Sequence, residues 1–144
     1  MTDIRRSAIV PYTAKQMFDL VNDVERYPEF IPSCNQVELL HRDTDEVKAR
    51  IHFARGGFEK AFTTLNRLQT DKMIEIRLVE GPFKHLEGFW RFDPLPNESC
   101  QVTLDLEFEF SNKLLAIAFG PLFTQVANLL VDAFTKRAEQ VYGS

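Results

Sequence analysis

Lys48, Arg50 and His52 alternate with Val47, Ala49, Ile51 and Phe53. A two-residue period therefore puts three basic groups on one face of a strand and the apolar residues on the other. Such a face is either plainly solvated or a small patch for an anion or an RNA backbone, because Lys and Arg are what phosphate charge attracts. Glu59, Arg67, Glu75 and Arg77 fall on the same outer side, which makes it mixed rather than basic. Lys136 and Arg137 form a second basic pair close to the end of the chain.

The remaining reactive types stand in no catalytic or metal pattern. His41, His52 and His85 lack ligand spacing, and neither Cys34 nor Cys100 lies within a turn of another ligand type, so no metal and no cofactor is expected. Ser7, Ser33, Ser99 and Ser111 have no nucleophile-elbow setting, and Gly56-Gly57 is not followed by the Lys and Ser/Thr of a phosphate loop. Asp105 and Glu107 point to water on an alternating strand, with nothing apolar beside them to raise a pKa for acid catalysis. The expectation is a protein that is not an enzyme. Lys60 and Thr64 share the parity of Phe58 and Phe62 and so point inward unless a bulge shifts the register; a buried Lys then needs a partner or a wet cavity mouth.

These residues must be positioned by a single domain spanning 1–144, since 144 residues suffice for one buried core. A net charge of −4 argues against a broad nucleic-acid surface and against DNA as a partner. Two distant cysteines and an N-terminus without an apolar signal core indicate reduced thiols and a cytoplasmic protein. Thirteen Phe are a heavy load of flat apolar rings, suited to a thick core or to a cavity lined by rings.

Residues 4–10 read as a first strand ended by Pro11. Thr13 and Gln16 have capping-box spacing, so a helix follows, with Met17, Leu20, Val21 and Val24 as its stripe. Pro28 disfavours helical geometry at Tyr27, which makes residues 27–32, YPEFIP, a rigid aromatic elbow. Then come 37–42, 47–54, 58–68, 74–80, 85–92 and 100–110, each with a period of two and each bounded by turn residues. No connection is long enough for a crossover helix, so the sheet is antiparallel, of roughly six to seven strands. Val102, Leu104, Leu106, Phe108 and Phe110 alternate strictly with polar residues, and Leu86, Trp90 and Phe92 share one parity. One side of the sheet is dry.

The cover for that side is the stretch 121–142, the longest helical pattern in the chain. Leu122, Val126, Leu129, Leu130, Ala133, Phe134, Ala138 and Val141 make its apolar stripe; Gln125, Asn128, Asp132, Lys136 and Glu139 make its polar face. Pro121 suits the first turn and Gly143 the stop. The contact between stripe and sheet is a plain core or a cavity wall. In a cavity, Val126, Leu130 and Phe134 form one wall, Phe62, Trp90, Phe92, Leu104 and Phe108 the other, and Tyr27 and Phe30 one end. Residues 113–119, KLLAIAF, are apolar nearly all round and set off by Gly120-Pro121; they read as a buried turn of helix, or as a lid on a hinge.

Strand, helix, Tyr-Pro elbow, sheet and long last helix, in that order, resemble the START-like helix-grip proteins. Residues 24–34 (VERYPEFIPSC), 81–92 (GPFKHLEGFWRF) and 133–138 (AFTKRA) are similar to the coenzyme Q-binding branch, often labelled polyketide cyclase/dehydrase-like, over essentially the whole chain. The resemblance implies an α+β fold in which a curved antiparallel sheet wraps the C-terminal helix. It also implies non-catalytic binding of a polyprenyl quinone such as ubiquinone, or a similar lipid, with a role in respiration or lipid transport and transient membrane contact. Bacterial members of this branch are described as toxins that bind the large ribosomal subunit and block subunit joining. On that alternative, Lys48, Arg50, His52, Lys136 and Arg137 are the expected ribosome-facing residues.

Overall fold

A computed structural model describes residues 1–143. The chain runs β1 (Thr2–Val10), α1 (Ala14–Asn22), a 3₁₀ helix (Val24–Glu29), β2 (Cys34–Arg42), β3 (Glu46–Arg55), β4 (Phe58–Gln69), β5 (Met73–Glu80), β6 (Phe83–Leu95), β7 (Ser99–Phe110), α2 (Lys113–Ala118) and α3 (Gly120–Tyr142). The strands form one curved, seven-stranded antiparallel sheet in the order β1-β7-β6-β5-β4-β3-β2. β2 to β7 are sequential hairpins. β1 pairs with β7, so α1 and the 3₁₀ helix carry the chain from one side of the sheet to the other.

Local chemistry accounts for that crossing. The Gln16 amide donates to Thr13 Oγ1 at 3.1 Å and the Thr13 amide donates to Gln16 Oε1 at 2.8 Å, which is the reciprocal cap expected at the start of α1. The expected elbow is wound more tightly than its prolines suggest. Pro28 sits inside the 3₁₀ helix, and the Ile31 and Phe30 amides both donate to the Tyr27 carbonyl, at 2.9 and 3.2 Å. The turn tolerates Pro28 because these bonds are short-range and need no donor from it.

Curvature has a definite origin. Gly88 pairs with Leu106 on one side and Ile76 on the other, and a Cβ built there would lie 2.1 Å from the Asp105 carbonyl oxygen. β6 and β7 thus approach more closely than any side chain permits at that point. Bulges add to the bend: Val79 is an extra residue in β5, Lys84 in β6, and Asn35 and Leu40 in β2.

Val102, Leu104, Leu106 and Phe108 of β7 are buried as their alternation requires, and α3 lies over the dry side. Its buried face is rotated from the expected stripe. Leu122, Val126, Phe134 and Ala138 are buried, but so are Phe123, Ala127 and Val131, whereas Leu129 and Val141 are 40% and 51% exposed. The apolar arc of α3 is wider than the surface that covers it. Leu129 is left on the far side, and Val141 runs one turn past the covered end. α2 differs too: instead of a buried turn, its Leu114 and Ile117 are 75% and 73% exposed, and Phe119, just after it, takes the burial. Gly143, at φ 83°, stops α3 as expected.

Candidate functional site: an apolar cavity beneath the last helix

Between α3 and the sheet lies a cavity of about 90 Å³. Tyr27, Phe62, Trp90, Val126, Leu130 and Phe134 line it, brought together from the 3₁₀ helix, β4, β6 and α3. Phe30, Phe92, Leu104 and Phe108 do not border it. Phe30 backs the wall from behind Phe134, with ring centroids 5.1 Å apart, Phe92 packs edge-on against Phe18 of α1 at 5.9 Å, Leu104 is fully buried, and Phe108 sits in a separate cluster of rings.

That cluster closes one end of the space. Phe123 has ring centroids of Phe108 and Phe83 at 4.8 and 4.9 Å, and of Phe62 and Phe119 at 5.7 Å, mostly edge to face. Edge-to-face pairs add roughly 0.5–1.5 kcal/mol each beyond burial, so this end is filled rather than hollow. At the other end Phe134 meets Tyr27 at 5.5 Å and Trp90 at 5.2 Å. The Tyr27 hydroxyl donates to the Val21 carbonyl, and burial holds its phenol well above the usual range.

Polar groups in the lining are few. Cys34 borders the cavity, and burial pushes its thiol up to about 11; Cys100, buried elsewhere and also free, is pushed up to about 11 for the same reason. Both thiols therefore stay protonated near neutral pH and are poor nucleophiles. Thr64 and Asn66 point inward with Phe62, by the two-residue period of β4. Thr64 was foreseen by parity; Asn66 was missed, although extending the same parity by two residues finds it. Its Oδ1 is buried without a hydrogen-bond partner, an arrangement that costs about 1–3 kcal/mol. Lys60 stays half-buried at the hairpin end, with Nζ 6.0 Å from the Phe58 ring.

The expected basic residues are differently employed. Arg50 Nη2 donates to Glu80 Oε1 at 2.6 Å, and His52 Nε2 lies 2.6 Å from Glu38 Oε2, so two of the three strand-face groups are matched by carboxylates. Lys48 and Lys136 have no carboxylate in ion-pair reach among the described residues. Arg137 ties α3 to the elbow: it donates to Glu29 Oε1 at 2.6 Å, and its guanidinium lies 5.1 Å from the centroid of the Phe30 ring. The hydrogen bond from Arg137, and then the charge of Arg26, hold the Glu29 carboxyl below its ordinary value. A depressed carboxylate pKa stabilises the fold above the unfolded value of about 4.3 and ceases to do so as pH falls through the folded value. Arg137→Ala should therefore lower the melting temperature at pH 7 and lower it much less at pH 3. Thermal unfolding at the two pH values checks this, and an equal loss at both would assign the effect to lost packing on Phe30.

Two donor sets on the outer surface escaped the linear spacing, because their members come from adjoining strands or a turn. His85 Nε2 is 3.5 Å from both Glu87 and Glu107, and His41 Nε2 is 2.9 Å from Asp43 and 3.8 Å from Glu46. The His41 contact lowers the Asp43 pKa.

A curved antiparallel sheet gripping a long C-terminal helix, with an apolar cavity between them, defines a START-like fold. The sequence profile of the polyketide cyclase / dehydrase and lipid transport family matches residues 10–135. The chain belongs to that family. It is 46% identical over 142 residues to the ribosome association toxin RatA of Pseudomonas aeruginosa, with 99% of each chain covered. It is 28% identical over 144 residues to the mitochondrial coenzyme Q-binding protein COQ10 homolog B of Xenopus laevis, covering 95% of this chain and 58% of that one. The Zhui aromatase/cyclase of Streptomyces sp. R1128 superposes with a TM-score of 0.84 at 19% identity, covering 96% of this chain and 94% of that one, a likeness of fold alone. No helix among the described residues is long and apolar enough to cross a membrane.

Proposed function

We propose that this protein binds a neutral hydrophobic small molecule or lipid beneath α3 and does not transform it. The observation that carries this reading is an apolar cavity whose lining contains no Lys, Arg, His, Asp or Glu. Burying hydrocarbon there gains roughly 0.8 kcal/mol per CH₂, so affinity needs few directional contacts. The lining offers no general base: Cys34 and Tyr27 are held protonated, and Thr64 and Asn66 do not ionise near neutral pH. Size sets a limit on the occupant. About 90 Å³ is less than the roughly 150 Å³ that takes up benzene, so one ring or one isoprene unit is the scale that fits with slight displacement of Leu130 or Phe123. A ubiquinone tail has to push α3 outward or trail outside. Organic extraction of purified protein followed by mass spectrometry should recover a neutral lipid or quinone, and added ubiquinone should change Trp90 fluorescence. Failure of both removes the reading.

A second reading rests on full-length relatives named as ribosome association toxins at 44–47% identity. On this reading the outside of the fold docks on the large ribosomal subunit in the cytoplasm and opposes subunit joining. Of the five expected residues, Lys48 and Lys136 are then the ones left without a carboxylate among the described residues, since Arg50, His52 and Arg137 are matched by Glu80, Glu38 and Glu29. Co-sedimentation with the large subunit should occur at low salt and fall as salt rises. Protein that stays at the top of a low-salt gradient excludes this reading and leaves the first intact.

A further inference from the structure

We propose that Asn66, with Thr64 beside it, is the polar anchor of the cavity, selecting a neutral ligand that carries a hydroxyl or carbonyl and rejecting carboxylates. The proposal rests on the reading of the cavity as a binding site and adds the class of head group. Asn66 is 9% exposed, lines the cavity, and leaves Oδ1 without a partner. No neighbour can supply one across the sheet: Asn66 is in register with Val47 and Ile76, and Thr64 with Ala49 and Leu78, all apolar. The Tyr27 hydroxyl is already committed to the Val21 carbonyl.

An amide offers one acceptor and two donors, so the same side chain serves a ligand O–H through Oδ1 and a ligand C=O through Nδ2. The Thr64 hydroxyl, two residues away on the same face of β4, supplies a second contact of either sense. A carboxylate differs, because burying its charge without a cation is strongly unfavourable and no cationic residue lines the space. Long-chain acids and anionic head groups are thus refused at the anchor, whereas alcohols, phenols and quinone-type carbonyls are accepted.

Three ring-sized probes test this by NMR chemical-shift titration of the full chain: phenol, toluene of nearly the same shape, and benzoate. The wild type should bind phenol at least as tightly as toluene and benzoate not measurably. Asn66→Leu should keep toluene affinity and weaken phenol by about tenfold, while raising the melting temperature because the orphaned oxygen is gone. Thr64→Val, which keeps the side-chain shape, should lower the phenol-to-toluene ratio less and carries the test if Asn66→Leu does not fold. Toluene binding with a phenol-to-toluene ratio that neither variant changes overturns the anchor and leaves hydrophobic binding standing. Benzoate binding as tight as phenol overturns the selectivity. No shift with any probe overturns the anchor and the binding reading together.

Discussion

Phe123→Ala should lower folding stability by about 3–5 kcal/mol and at the same time enlarge the ligand space. Phe123 belongs both to the packed cluster and to the cavity wall. Removing it deletes edge-to-face contacts with Phe83 and Phe108 and leaves a void that merges with the cavity of about 90 Å³. The surrounding rings are held by one another and by two packed layers, so they collapse only partly. Urea unfolding should show a lower midpoint with an unchanged slope. A two-ring probe such as naphthol, too large for the wild-type cavity, should now bind. A stability loss below about 1 kcal/mol would mean that the ring cluster is loosely packed; a full loss without naphthol binding would mean that the void closes.

Gly88→Ala should cost more than about 3 kcal/mol or prevent folding, although it adds only a methyl group. The new Cβ would lie 2.1 Å from the Asp105 carbonyl oxygen and 2.9 Å from Leu106 Cα, both backbone atoms that cannot swing aside. Relief requires β6 and β7 to part, flattening the curve that holds α3. Gly57→Ala is the control: its φ is +86°, but nothing lies within 4 Å, so it should cost only the left-handed strain of about 1–2 kcal/mol. Equal losses from the two variants would remove the argument from close approach. Denaturant unfolding of both proteins measures the difference.

Those two positions show which features the sequence makes legible. Alternation in β7, the Thr13 and Gln16 cap, and the Pro121 and Gly143 ends of α3 are local chemistry, and they appear where local chemistry puts them. The family resemblance reached the same fold from the elbow and the GPF…FWRF and AFTKRA motifs. The exact facing of α3 was not legible, because its apolar arc exceeds what the sheet covers. Leu129 therefore looked like core, and Phe123 and Val131 were passed over. Exposure of α2 was hidden for a related reason: KLLAIAF has enough apolar residues for burial but no surface left to receive them. Asn66 is the instructive omission. A polar residue on a dry face looks like a register error until the cavity beside it is seen, and the cavity depends on how curvature spaces α3 from the strands.

The bulges in β2 bear on what the protein does in company with itself. β2 is the last strand of the sheet order, and it carries the exposed neighbours Leu39 and Leu40. A long, flat, apolar border of that kind invites another chain to add a strand and begin a fibril. Extra residues at Asn35 and Leu40 interrupt the ladder within a nine-residue strand, so an incoming copy could pair only over short stretches. The irregularity that bends the sheet around its helix also protects the border from templated polymerisation.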